Sequence, residues 1–349
     1  MSNLTLRRQT TWRIHQIREG IRLFAWLLLI APPAVVCRGG SSFPAPSEDE
    51  LERTVGYAFQ GRIAEVNWRA DEPRQTNLPV YAGTTRGYDE TLMRRVADAF
   101  GVLGAIEVFR DAPTGAFGYW LRELNPTNRF SQREIAFIVT TGAFRYGTAD
   151  DGRRYDSKKK AHLEYRVPSK EEAREKALTL LPLLNLSTND LEHDRHGRLR
   201  CAYGESGITY NDRVSGQRKR EVIQRSVSFF QRVPSGGTTS SVGDGGQVRF
   251  TFVSEGKLTG IEWFFRKLEV AAQAKPRSRQ DIIKDIKAGR FWTWQQKVPR
   301  ALTVTNCELA YPQGNSGTYQ PYVWPFYMVS ATGKEGGTVT LFLPAKWRD

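Results

Sequence analysis

"VPSKEEAREKALTLLPLLNL", Val167 to Leu186, decides how the rest of this chain is read. Ser169 followed three residues later by Glu172 is a capping box, in which each side chain satisfies the other residue's backbone N–H at a helix start. Ala173, Ala177, Leu180, Leu181 and Leu184 then recur at helical spacing and share one face. Pro182 lacks the N–H that the helix interior needs and ends or kinks the helix there. The pattern after it is different. "RLRCAYG", "GITYND", "SVSFFQRV", "GQVRFTFV" and "LTGIEWFFRKLEV" are short β-branched and aromatic runs, broken by turn residues.

The same order occurs on either side. Upstream, "GYDETLMRRVADAFGV" puts Leu92, Val96, Ala99 and Phe100 on one helical face and stops at Gly101, before "AIEVF", "FGYWLREL" and "REIAFIVTTGAFRYG". Downstream, "PRSRQDIIKDIKAG" pairs Ser278 with Asp281 as a cap, carries Ile282, Ile283 and Ile286 as its stripe, and stops at Gly289. "ALTVTNCELAY", "YVWPFYMVSA" and "TVTLFLPA" follow it. Ser47 and Glu50 form a further cap before "LERTVGYAF". Strands grouped between isolated helices predict α+β, with repeated modules of an antiparallel sheet packed by a single amphipathic helix. At 349 residues the chain exceeds one typical domain. The expected divisions are a signal or anchor over 1–40, a first α+β domain over 41–165, and a second over 166–349 with two helix-plus-sheet units.

The N-terminus has its own signature. Arg7, Arg8, Arg13, Arg18 and Arg22 precede the apolar run Leu23–Cys37, and Gly-Gly-Ser-Ser follows. A basic stretch, a short apolar run and small residues form the pattern of a secretory signal. The run is short for a membrane span, which wants roughly 20 apolar residues, and Pro32-Pro33 interrupts it. A cleaved signal and a retained anchor both fit, and a core helix does not explain the flanks. The bulk of the chain is therefore expected outside the cytoplasm, periplasmic, extracellular or membrane-anchored. Ala34-Val35-Val36-Cys37 makes Cys37 a candidate for lipidation, although Val36 departs from the small residue such a box places before its Cys. Leu6 and Thr10 do not fit a twin-arginine signal.

The formal net charge is +14, which favours anionic surfaces. Part of it belongs to the N-terminal arginines. The runs "DGRRYDSKKK" and "SGQRKREVIQR" have no regular aromatic interleaving, so nucleic acid is disfavoured as a partner and a solvated basic face is the simpler reading. The expected partners are another envelope protein or an anionic surface, with the membrane contacted through the N-terminal segment.

Motifs that announce a reaction are sparse, and no cofactor is called for. In "TNDLEHDRHGRLRC", His193, His196 and Cys201 lie near Asp190, Glu192 and Asp194; zinc needs three or four such groups converging. Gly197 and the density of charge instead suit an exposed turn. An extracytoplasmic hydrolase or metal-dependent enzyme centred there is the alternative to a binding protein. Ser206 sits in Gly-Glu-Ser-Gly, which is not a nucleophile elbow. His162 lies in an alternating, strand-like run. The loop 234–246 lacks the Gly-Lys-Ser/Thr of a phosphate cradle. Cys201 and Cys307 are either a disulfide, which an exported chain allows, or two separate buried thiols. Trp292 and Trp294 in "RFWTWQQ" are either core or an exposed ligand-contact strip.

The order of anchor, short helix, "PSKEEAREKA", strands, "PRSRQDIIKDI", then "NCELAYPQGNSGTYQPYVWPFYMVSA" and "LFLPA" resembles the tandem modules of the YycH/YycI group and PepSY-type extracytoplasmic domains. The resemblance covers roughly 165–345, and more loosely 78–165. It implies a helix on a small antiparallel sheet in each module, and a non-enzymatic, membrane-anchored modulator or partner-binding protein. Exposed sheet edges and the 234–246 loop are then the expected contact surfaces.

Overall fold

A computed structural model describes residues 46–72, 78–85, 87–111, 116–123, 132–148, 155–156, 161–162, 166–194, 196–211, 216–234, 245–314 and 320–345. The apolar run Leu23–Cys37 with its candidate lipidation site Cys37, the tip of the 234–246 loop and most of "DGRRYDSKKK" lie outside the described residues.

The described residues open with helix α1 (Glu48–Val55) and strands β1 (Tyr57–Ala58), β2 (Glu65–Trp68) and β3 (Leu78–Thr85). Helix α2 (Glu90–Phe100) leads into β4 (Ile106–Asp111), β5 (Ala116–Arg122), β6 (Arg133–Ile138) and β7 (Ala143–Thr148), and β8 (Tyr155–Asp156) and β9 (Ala161–His162) form a small pair. Helix α3 (Lys170–Leu180) precedes β10 (Cys201–Asn211), β11 (Arg218–Phe230), β12 (Gln247–Phe252), β13 (Leu258–Trp263) and β14 (Arg266–Ala274). Helix α4 (Arg279–Ala288) precedes β15 (Trp292–Thr293), β16 (Ala301–Ala310), β17 (Tyr322–Val323), β18 (Phe326–Gly333) and β19 (Thr338–Pro344).

The helices begin and end where their local chemistry dictates. Ser169 and Glu172 form the reciprocal capping box, as do Ser278 and Asp281. Asp89 accepts the Leu92 N–H at the start of α2, and Gly101 closes that helix at φ +62°. Pro182 turns the end of α3 into a single 3-10 turn over Leu181–Leu184. Ala173, Ala177, Leu181 and Leu184 are buried as expected, and Leu180 is half-buried. On α2 the buried face runs through Leu92, Met93, Val96 and Ala97, while Ala99 is exposed because it falls at the margin of that stripe in the last turn. Helix α4 is pinned through Asp285, which takes charge-assisted hydrogen bonds from Arg277 and Arg290; the Arg277 N–H also reaches the Tyr327 hydroxyl at 2.8 Å.

Antiparallel sheets dominate this α+β structure. Eight strands form one sheet in the order β10-β11-β12-β13-β7-β6-β5-β4. Six form a second, β1-β15-β19-β18-β16-β2, in which β16 and β2 run parallel, and three form β14-β3-β17. Two cores result. One gathers residues from Leu92 to Phe265 under α2 and α3. The other joins residues Leu51–Tyr81 to residues Ala274–Ala345. From Leu51 onward the described chain therefore contributes to an outer unit, makes an inserted unit, and returns to complete the outer one.

This nesting corrects the expected division at 165. Strand β7 pairs with β13, Phe144 opposite Trp263, so one sheet spans the proposed boundary. Likewise β2 lies beside β16, Glu65 opposite Ala301. Such pairings join distant segments, whereas hydrophobic periodicity reports only local structure. "RLRCAYG" and "GITYND" are also not two strands: from Cys201 onward they form the single strand β10, with a bulge between Ser206 and Gly207.

Candidate functional site

The two units meet where the chain leaves the inserted core, in the apolar run "WFFRKL". Arg266 opens β14 there, opposite Thr85 at the end of β3. Its neighbours alternate across the ribbon, so Arg266 shares a face with Gly83 and Leu268. Gly83 makes room for it: a Cβ at that position would stand 3.1 Å from Arg266 Cδ. The residue is 5% exposed, and burial lowers the guanidinium's pKa to about 10, with Glu50 opposing that shift.

Gln231, just past the end of β11, treats the Arg266 backbone as a neighbouring strand would. Its carboxamide Nε2 donates to the Arg266 carbonyl at 2.5 Å, and its Oε1 accepts the Arg266 N–H at 3.2 Å. Arg266 Nη1 donates to Gln313 Oε1 at 3.4 Å, and Gln313 Nε2 reaches Gln231 Oε1 at 3.5 Å. The Gln313 carbonyl accepts the Gly245 N–H at 3.1 Å. Gln320 steadies this loop by accepting from the Gly314 N–H at 2.9 Å and donating to the Pro312 carbonyl at 3.1 Å. Backbones approach closely here, for a Cβ at Gly245 would lie 1.9 Å from the Gly314 carbonyl oxygen. Val233 packs into the outer core although its chain neighbours belong to the inserted unit. Tyr81 and Tyr311 stack edge to face beside this core, ring centres 5.2 Å apart.

Beside this seam opens a recess of about 460 Å³ lined by Thr84, Thr85, Gln231, Arg232, Arg266 and Lys267, with Gly87, Pro234 and Leu268 completing its wall. Arg232 is exposed, and the Lys267 ammonium contacts Glu269 at 2.7 Å. Arg232 is thus an exposed cation of this lining, with Arg266 buried and Lys267 paired with Glu269; with the two threonines the lining suits an anionic group better than an apolar one.

The residues expected to carry chemistry lie elsewhere and do not converge. His193 Nδ1 is 3.0 Å from the Leu191 carbonyl, and His196 is exposed. Asp194 organises the turn, accepting the His196 N–H at 2.8 Å, the Arg198 N–H at 3.0 Å and Arg198 Nε at 3.1 Å. Those bonds, the Arg198 N–H foremost, hold its carboxyl below the usual range. Glu192 is buried and paired with Arg200 at 2.9 Å. Cys201 donates to the Tyr203 hydroxyl at 3.3 Å. Among the described residues no three His, Cys, Asp or Glu side chains form a group able to hold a metal ion. Around His193, His196 and Cys201 the described residues form a turn whose Asp194 and Glu192 bond to neighbouring backbone and arginine groups.

Cys201 and Cys307 are free, not disulfide-bonded, and pack against different cores. Burial pushes the Cys307 thiol up to about 12, which keeps it protonated and unreactive. Trp292 is half-buried against the outer core, and its Nε1 has no acceptor among the described residues; Trp294 is 47% exposed. Ser206 sits within β10 and not on a strand-to-helix turn. Gln231, Arg266 and Gln313 were not singled out by motif. The available signal was an arginine inside the apolar run "EWFFRKL", where a fully buried charge needs a partner.

Comparison with known proteins finds no matching family model and no matching curated protein. Among solved structures, an uncharacterized protein from Eubacterium rectale is similar at a TM-score of 0.40 and 12% identity, over 80% of this chain and 87% of that one. Among the described residues, no helix is long and apolar enough to cross a membrane.

Glu50, the α1 residue that bears electrostatically on Arg266, makes the seam sensitive to pH. Burial raises its pKa to about 7, against the opposing pull of the Ser47 backbone and of Arg266, and its buried Oε1 accepts no hydrogen bond among the described residues. A carboxyl whose folded pKa exceeds its unfolded one binds more protons in the folded state, so its contribution to stability falls as pH rises from about 4.5 to about 7. Glu50→Gln removes that loss. In denaturant melts it is expected to match the parent at pH 4.5 and to exceed it at pH 8 by about 1–2 kcal/mol, after allowance for partial solvent exposure.

Proposed function

We propose that this chain is an exported, envelope-associated protein that works by binding, and that its recognition site is the basic recess at the seam between its two units. The carrying observation is the recess itself, where Arg232, Arg266 and Lys267 stand with Thr84 and Thr85 at the junction. A site built from two segments of the outer unit and one of the inserted unit senses how the units sit, which suits a regulatory binder. The reading extends to architecture: α2 with β4–β7 and α3 with β10–β13 are two helix-plus-meander units of the kind the YycH/YycI and PepSY-type resemblance implies, while the strands after α4 divide between two sheets. The sheet order supports this, since the first two meanders join through their last strands, β7 and β13.

Export is supported by the arginine-rich start and the apolar run Leu23–Cys37. After expression in a bacterial host and cell fractionation, an intact mass is expected to show a membrane or exported product, shortened near residues 37–41 or carrying lipid on Cys37. A full-mass cytoplasmic product contradicts export.

Recognition is tested by thermal melts in phosphate, sulfate and acetate against chloride at constant ionic strength. Ligand bound only by the folded state raises its melting temperature. One of the three anions is expected to raise it by about 3 °C at roughly tenfold excess over its dissociation constant, and Arg232→Ala to abolish most of that rise. Equal melting in all four salts, or an unchanged rise in the variant, contradicts the assignment.

A further inference from the structure

Strands β10 and β11 pair along their whole length, but only the second half of β11 is backed by β12. The last β11–β12 pair is Arg225 opposite Phe252, whereas the β10–β11 ladder continues through Gly207–Val222 and Thr209–Arg220 to Asn211–Arg218. A two-stranded ribbon therefore projects from the eight-stranded sheet, by roughly 14 Å beyond Val222 at 3.4 Å per residue. No residue of β10 is buried. A lone ribbon is marginally stable in water, so this one is a segment whose order depends on what it meets.

Its composition indicates what that is. Arg218, Lys219 and Arg220 are consecutive and exposed. Arg218 and Arg220 stand opposite Asn211 and Thr209, while Lys219 stands opposite Tyr210, next to Ile208 on the same face. Both faces of the ribbon thus carry a cation. Over residues 207–222 the sequence carries the acids Asp212 and Glu221 against Arg213, Arg218, Lys219 and Arg220. The root is tied down by Arg225, which contacts Glu205 at 2.9 Å and donates to the Pro168 carbonyl at the start of α3. A fixed root and a basic arm with one tyrosine and an aliphatic neighbour match the interface of an anionic bilayer, where basic side chains meet headgroup phosphates and tyrosine lies at the boundary.

We infer that the β10–β11 ribbon is a membrane-contact arm that docks on anionic phospholipid headgroups through Arg218, Lys219 and Arg220. Charge complementarity favours this occupant, and the apolar run Leu23–Cys37 in the same chain gives lipid precedence over nucleic acid.

The test uses the full chain with vesicles of phosphatidylcholine alone or mixed with phosphatidylglycerol. At 0.1 M salt the parent is expected to partition onto the anionic vesicles at least tenfold more strongly than the variant R218Q/K219Q/R220Q. The gap narrows at 0.5 M salt because the contacts are screened. The N-terminal segment is common to both chains and cancels in that ratio. Amide exchange supplies a local readout on the parent alone: residues 207–211 and 218–222 slow on anionic vesicles and not on neutral ones. Equal partitioning of parent and variant overturns the inference, as does unchanged exchange in the ribbon. Tighter binding to duplex DNA than to anionic vesicles at the same salt overturns it in favour of nucleic acid.

Discussion

The two hydrogen bonds between the Gln231 carboxamide and the Arg266 backbone are the constraint on which the arrangement depends. At Arg266 the chain leaves one sheet and enters another, and its backbone N–H and C=O are met by the Gln231 carboxamide instead of by a second neighbouring strand. Left unmade in a buried place, each costs on the order of 1–3 kcal/mol. Gln231 supplies both partners at once. The same amide reaches Gln313, which receives the Arg266 guanidinium, so one side chain ties the inserted unit to the strand and loop of the outer one. The buried guanidinium is supported by the Gln313 carboxamide and by the charge of Glu50, and a buried charge left without such partners would be a liability.

That constraint also explains why the recess lies where it does. Gly245 lets backbones approach too closely for a side chain there, and Gly83 leaves room for the Arg266 side chain. The space that remains is lined by what the crossing strands carry, Thr85 with Arg266 and Thr84 with Lys267. At the far end of the same β11 strand the situation reverses: the ladder outruns its sheet and leaves a ribbon in solvent. One long strand therefore connects the seam to the arm.

Much of the local structure was legible in the sequence. Capping residues declare helix ends because the interaction spans three positions, and Ser169, Ser278 and Gly101 act where the spacing places them. Pro182 stops α3 for the same local reason. Strand pairing was not legible. Nothing near residue 165 reveals that β7 will lie beside β13, because that choice is made by burial across the whole inserted core. The seam was hidden in the same way: Gln231 and Arg266 stand 35 positions apart, and Gln231 and Gln313 stand 82 apart. Residues 190–201 bring ligand-type residues close in sequence, and the charge density and Gly197 already favoured an exposed turn over a centre. There Asp194 and Glu192 bind the turn that carries them, leaving His196 in solvent.

The most direct test of the seam is calorimetry of the full chain beside Gln231→Leu, which keeps side-chain volume while removing both hydrogen bonds to Arg266. If the seam couples two nested units, the parent unfolds in one transition. The variant then unfolds in two, as each core melts separately. A variant that still melts in a single transition at the parent's temperature would contradict the account, and would place the coupling in the apolar contacts around Val233.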